Sequence, residues 1–148
     1  MDVALRSATP EDSEFAYQLK KTTLREAIAE TWGWDEEAQR ELHERRFGTQ
    51  DFQVIQVDGI DAGILGTVRD PDRLKVNQLL IAPEYQRKRV GTATMERVIE
   101  QAAASGLPVR LRVMKANLSV QGFYLGLGFA VVGETETHLL LERASDSA

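Results

Sequence analysis

Two short stretches carry residue types whose spacing could support chemistry. The first is Gln86-Arg87-Lys88-Arg89-Val90-Gly91-Thr92-Ala93, which follows the apolar run Leu79-Leu80-Ile81 and the turn Ala82-Pro83-Glu84-Tyr85. A helix starting here leaves backbone N–H groups without intrahelical partners, at the positive end of the aligned peptide dipoles. Gly91 has no Cβ, so an oxygen can approach the amides closely. Arg87, Lys88 and Arg89 add full positive charge at the same place. That combination suits a phosphate or pyrophosphate, although a solvated basic turn closing an ordinary strand–helix unit uses the same residues.

The second stretch begins at Asn117 and continues through Val120, Phe123, Tyr124 and Leu127, spaced i, i+3, i+4, i+7. This is one apolar face of a short helix. Gly128 stands where a left-handed C-cap belongs, with Phe129 ready to close the hydrophobic contact. Tyr124 is the one group on that face able to give up a proton. Its phenol, with an ordinary pKa of about 10, can serve as a general acid. The alternative is a packed ring whose hydroxyl meets a backbone group.

Composition narrows what these stretches could serve. The 148 residues suit one domain, 1–148, with 43% hydrophobic and 28% charged residues typical of a globular chain. There is no cysteine, which removes disulfides, thiolate metal sites and a cysteine nucleophile. His43 and His138 fit no spaced metal-ligand pattern, so no metal is expected. The net charge of −5 disfavours general binding to nucleic acid or anionic membrane. The N-terminus lacks the pattern of a signal peptide, and no apolar run approaches the roughly 20 residues of a membrane span, so a cytoplasmic location is expected.

These stretches need elements to position them. Val3–Ser7 reads as an edge strand. Thr9-Pro10-Glu11-Asp12 is a helix start, and Phe15, Leu19, Thr23, Ala27 and Ile28 continue a helix over about 10–30. Trp32-Gly33-Trp34 interrupts it, and Asp35-Glu36-Glu37 opens a second helix ending near Arg45-Arg46 and Phe47. Phe52–Val57 and Ile64–Val68, around Asp58-Gly59 and Gly63, suggest a hairpin. Asp70-Pro71-Asp72 then turns into a strand from Leu74 to Ile81.

Met95, Val98, Ile99 and Ala102 recur at helical spacing after Gly91, until Ser105-Gly106. Val109–Val113 alternates as a strand, and a strand–helix–strand crossover makes the two flanking strands parallel. Ala130–Val132 and Leu139–Leu141 bracket a last hairpin, and 144–148 is expected to fray. The order is therefore β-α-α-β-β-β-α-β-α-β-β: an α/β (α+β) chain with about four helices. Its sheet would have about seven strands, mostly antiparallel, with a central parallel pair.

That order, together with the two motifs, resembles the GNAT superfamily of acyl-CoA-dependent N-acetyltransferases, in its small single-domain form. The family's phosphate motif, Gln/Arg-x-x-Gly-x-Gly/Ala, falls on Gln86 to Gly91, with Arg89 at the position of the first glycine. Its second motif falls on Asn117, Val120, Phe123, Tyr124, Gly128 and Phe129. The resemblance implies acetyl-CoA as cosubstrate. The backbone of Leu79, Leu80 and Ile81 would hold the pantetheine arm and the acyl group. The amides of Arg87, Lys88, Arg89, Val90, Gly91, Thr92 and Ala93 would hold the pyrophosphate, and Asn117 would hydrogen-bond the arm. Tyr124 would protonate the departing thiolate.

Two questions stay open at this stage. If the backbone at Arg89 needs positive φ, arginine is strained there; if it is already helical, Arg89 adds a phosphate contact. An alkylamine at pH 7 must also lose a proton, at about 4 kcal/mol. The resemblance implies a glutamate on the preceding strand, where this chain has Lys75-Val76-Asn77-Gln78. Asn77 could orient a water, and His138, His43 or Glu41 could act as base. Trp34 could line an acceptor pocket, and the acidic helix 35–47 could attract a cationic amine. The acceptor would be a small amine or an exposed protein amine, and a homodimer is compatible with this. A catalytically silent acyl-CoA-binding module is the alternative function, and a nucleotide-binding regulatory domain a more distant one.

Overall fold

The computed structural model describes residues 1–145. The element order is as expected: β1 (Val3–Ser7), α1 (Ser13–Trp32), α2 (Glu36–Phe47), β2 (Asp51–Val57), β3 (Ile60–Asp70) and β4 (Arg73–Ile81). Then come α3 (Val90–Ala104), β5 (Val109–Met114), α4 (Leu118–Gly126), β6 (Ala130–Glu134) and β7 (His138–Arg143). The seven strands form one sheet in the order β1-β2-β3-β4-β5-β7-β6, and β4–β5 is its parallel pair. The fraying expected over 144–148 lies mostly outside the described residues.

Helices cover both faces. Val90, Met95, Val98 and Ala102 of α3 and Tyr124 of α4 pack with Val76, Val109, Leu111 and Val113 on one face. Ala16 and Leu19 of α1 pack with Val54, Ile64 and Leu80 on the other. Strand alternation sorts the two sets, because successive side chains point to opposite faces.

Three local features differ from the expected picture. The helix expected from residue 10 begins instead as a 3-10 turn, Pro10–Asp12, before α1. Asp12 explains the switch: its carboxylate accepts from the Thr9 N–H at 2.8 Å, and both its oxygens accept from Arg6 at 2.9 Å. The hairpin loop between β2 and β3 is only Asp58-Gly59, both with positive φ (50° and 83°), as a tight hairpin turn requires. Gly63 thus sits inside β3, where a Cβ would come 2.5 Å from the Leu80 carbonyl oxygen. Glycine is what lets β3 and β4 lie together there.

The third feature shapes the site. In the β3–β4 ladder Gly66 pairs with Gln78 but Thr67 pairs with Val76, so Asn77 is an extra, bulged residue. A bulge bends its strand and re-aims the side chains beyond it. Before it Leu74 and Val76 face α3; after it Leu79 and Ile81 do, while Leu80 turns to α1. On the other side, β4 pairs with β5 only from Leu74–Val76 to Val109–Leu111. Beyond that point the two strands part, and β5 continues against β7 alone.

The Arg6–Asp12 pair fastens the start of α1 to β1, and it should govern acid stability. Arg6, first of all, holds the Asp12 carboxyl down to about 2 against an ordinary 3.8. The stabilisation is complete above about pH 4 and disappears as pH falls through 2. Asp12→Asn should cost about 1–2 kcal/mol at pH 7 in urea unfolding and flatten the stability loss between pH 4 and 2. An unchanged acid limb would remove Asp12 from this role.

Candidate active site

The two motif stretches meet at the parting of β4 and β5. β4 ends when the Ala82 N–H donates to the Ala62 carbonyl at 2.8 Å, and Pro83–Tyr85 forms a 3-10 turn. The Gln86 side chain reaches back to donate to the Ile81 carbonyl at 2.9 Å. It ties the basic loop to the last residue of β4.

The loop backbone is left-handed at both Arg87 (φ 62°) and Arg89 (φ 65°). Arg89 is the N-cap of α3, in the left-handed region at ψ 16°, and offers no side-chain cap. This decides the question left open by the sequence: the backbone needs positive φ, and arginine carries the strain. The first intrahelical bond in α3 runs from the Ala93 N–H to the Arg89 carbonyl. The N–H groups of Val90, Gly91 and Thr92 thus lack intrahelical partners, and a left-handed residue ahead of a helix turns such groups into an anion-binding concavity. Arg87, Lys88 and Arg89 are exposed and form no ion pair with a described residue.

Gly91 has a different use from the one its position suggests. A Cβ there would point at the Phe123 ring, 3.3 Å from its Cζ and 4.0 Å from Ile81. The missing side chain lets α3 and α4 close on each other, and so links the basic loop to Tyr124.

α4 ends as its sequence indicates. Gly128 has φ 93°, its N–H donates to Leu125, and the Phe129 N–H donates to Tyr124. This is a Schellman cap, and Phe129 packs edge-on to the Tyr124 ring at 5.5 Å. Phe123 packs edge-on from the other side at 5.0 Å. Tyr124 is only 5% exposed, yet its hydroxyl has no hydrogen-bond partner among the described residues. That oxygen is also absent from the sealed, unpartnered polar atoms, of which Gln39 Oε1 is the one found among the described residues. The ring is therefore packed while the hydroxyl opens outward. Burial pushes its pKa up, so the phenol keeps its proton. Asn117 caps α4 at its start, partly exposed, with its carbonyl accepting from Gln121 at 3.3 Å.

The remaining candidates fall in several places. Asn77 is the exposed bulge residue at the parting of the strands. His138 opens β7 opposite Met114, with its ring 5.8 Å from that of Trp32 and Nδ1 2.8 Å from Thr137 Oγ1. His43 is buried between the helices, where Nε2 lies 2.9 Å from the Ser13 carbonyl. That is a structural tie of α2 to α1. Trp34 donates to Glu36 at 3.1 Å and lies under Arg25. Glu41 is exposed on α2.

Sequence patterning missed a set of cations on the α1 face of the sheet: Lys20, Arg46 and Arg112. A signal for one of them was present. Lys20 stands one turn after Ala16 and beside Leu19, within the buried stripe of α1.

A family model described as the acetyltransferase (GNAT) family matches residues 15–129. The chain belongs to this family. No curated protein matches the sequence. Among solved structures, this GNAT chain is similar to the PaiA N-acetyltransferase of Thermoplasma acidophilum in complex with coenzyme A. The TM-score is 0.80 at 18% identity, with 97% of this chain and 99% of that one covered. It is also similar to the ribosomal-protein-S18-alanine N-acetyltransferase of Escherichia coli, with TM-score 0.73 and 18% identity over 99% and 96% of the two chains. An acetyltransferase of Thermus thermophilus aligns with TM-score 0.78 and 16% identity over 97% of each chain. At such identities these likenesses establish the shared GNAT fold. No helix among the described residues is long and apolar enough to cross a membrane.

The left-handed arginine gives a direct test of the loop. Left-handed backbone costs a residue with a Cβ about 1–2 kcal/mol, part of which glycine returns as chain entropy. Arg89→Gly should therefore raise stability by about 0.5–1 kcal/mol in urea unfolding. A loss of stability would contradict the left-handed cap.

Proposed function

We propose that this acetyltransferase moves an acetyl group from acetyl-CoA to a primary amine by direct attack within a single GNAT domain. The observation that carries the reading is the gap between β4 and β5. It lies between a loop with unpartnered amides and bases and a helix whose tyrosine hydroxyl is free.

The residues suit the two ends of an acyl-CoA. A pyrophosphate matches the free N–H groups of Val90, Gly91 and Thr92 and the charges of Arg87, Lys88 and Arg89. An amide-bearing arm matches an unpaired strand edge, since the β5-facing backbone groups of β4 past Val76 have no ladder partner. Leu79, Leu80 and Ile81 would take the place of a missing neighbour strand, and Asn117 would bond the arm from the other side. Acetyl-CoA supplies an acyl group already activated as a thioester.

This chain's own groups then have distinct tasks. A backbone N–H of the Leu79–Ile81 edge would donate to the thioester carbonyl oxygen, where charge grows during attack. The Tyr124 hydroxyl, held protonated by burial, would deliver its proton to the departing sulfur. The edge-on rings of Phe123 and Phe129 keep its own ring fixed. β4 carries no carboxylate near the bulge, and Lys75 is paired with Asp70 at 3.1 Å. Asn77 and Gln78 would orient a water that carries the amine's proton away to solvent, from which the Tyr124 phenolate is reprotonated.

A thiol-release assay over a panel of amines separates this from a silent acyl-CoA-binding module. CoA should appear only when an amine is present, in step with acetylated amine. Binding of acetyl-CoA with no release for any amine would establish the silent module instead. Tyr124→Phe should lower kcat about 100-fold while leaving the Kd for acetyl-CoA within a factor of two. Equal loss of binding and turnover would assign Tyr124 to packing alone.

A further inference from the structure

Strand alternation divides β5 between the two faces of the sheet. Val109, Leu111 and Val113 are buried against α3, so Arg110 and Arg112 point to the face that carries α1 and α2. The register then gives them different fates. Arg110 lies opposite Glu142 of β7 and bonds it at 2.9 Å. Arg112 lies opposite Leu140, which offers no anion, and forms no ion pair with a described residue.

Two more cations stand on this face without a carboxylate. Lys20 of α1 is only 3% exposed, and no hydrogen bond or ion pair with a described residue holds it. A buried ammonium without an anion is costly. Its nitrogen is not among the sealed, unpartnered atoms, so it reaches the surface at one point. Arg46 of α2 lies near enough to depress the Lys20 pKa further, after burial itself, to about 8. Arg112 is in turn close enough to depress both Arg46 and His138, in each case as a second cause after burial. The His138 ring against Trp32 ties the end of α1 to the start of β7. Arg112 is the first residue of β5 past Leu111, the last to pair with β4, so it stands where the two strands part. The nearby carboxylates Glu142 and Asp70 are already taken, by Arg110 and Lys75.

We propose that this face of the sheet, beside the β4–β5 gap, binds the acceptor, and that the acceptor is a small amine carrying its own anionic group, a carboxylate or a phosphate, held by Lys20, Arg112 and Arg46. The assignment rests on the acetyltransferase reading above and names its substrate class. It runs against the expectation that acidic α2 draws a cationic amine. Glu36 of that helix is bound by Lys21 and Tyr17, and Glu37, Glu41 and Glu44 are exposed. With three cations and one bound anion, this face keeps positive charge, which favours the neutral, attacking form of the amine.

The test compares matched pairs in the thiol-release assay: phosphoethanolamine against ethanolamine, and γ-aminobutyrate against butylamine. At least one anionic amine should exceed its neutral counterpart in kcat/KM by 10-fold or more. Lys20→Met and Arg112→Gln should each raise its KM about 10-fold while the KM for acetyl-CoA stays unchanged. Neutral amines equal to or better than both anionic ones overturn the proposal while leaving the acetyltransferase reading intact. If no amine releases CoA, that reading fails first. Calorimetric titration of phosphoethanolamine with CoA present then judges the cationic face alone. Binding weakened 10-fold in either variant supports it; absent binding, or binding unchanged in both, overturns it. Arg112 is exposed, so its variant reports even if Lys20→Met does not fold.

Discussion

The site depends on one interruption in hydrogen bonding. β4 and β5 share only three residue pairs before they separate, just where Asn77 bulges out of the β3 ladder. Backbone N–H and C=O groups inside a sheet ordinarily find partners in the next strand, and here a whole edge of β4 past Val76 does not. The same bulge turns Leu79 and Ile81 toward α3 and Leu80 toward α1. A single inserted residue therefore opens the gap and also anchors its wall to both helical layers.

The two ends of the gap are held by unlike devices. At the loop end, Gln86 clasps the Ile81 carbonyl and the backbone turns left-handed at Arg87 and again at Arg89. Strain of this kind persists only where the surroundings over-determine it, and it tends to gather at ligand sites. At the other end, a Schellman cap and two edge-on rings lock Tyr124 without touching its hydroxyl. Gly91 joins the two devices, because the space of its missing side chain is where the Phe123 ring approaches.

The opposite face has another logic. Ordinary ion pairs there are satisfied locally: Arg110 with Glu142, Lys75 with Asp70, Arg40 with Glu14. Lys20 stands outside that pattern, nearly buried and unmatched by any described carboxylate, alongside Arg46 and Arg112. A chain that is acidic overall has thus gathered unmatched positive charge at one place. Unpaired like charges gathered in this way work against folding.

Much of this was readable along the chain. Helix periodicity, the Gly128–Phe129 cap and the strand–helix–strand crossover are local rules, so the element order and the Tyr124 helix followed from residue types and spacing alone. The basic loop was readable too, since three bases before a helix start need no partner to be recognised. The sequence could not say whether Arg89 is left-handed, because the backbone angle depends on how the loop is fastened at Gln86. Nor could it show that Gly91 faces Phe123, a residue more than thirty positions away. The bulge at Asn77 and the gathering of Lys20, Arg46 and Arg112 arise from ladder register and from strands that meet only in three dimensions. Local chemistry determined which elements form and which residues can react; long-range pairing decided which of them come together.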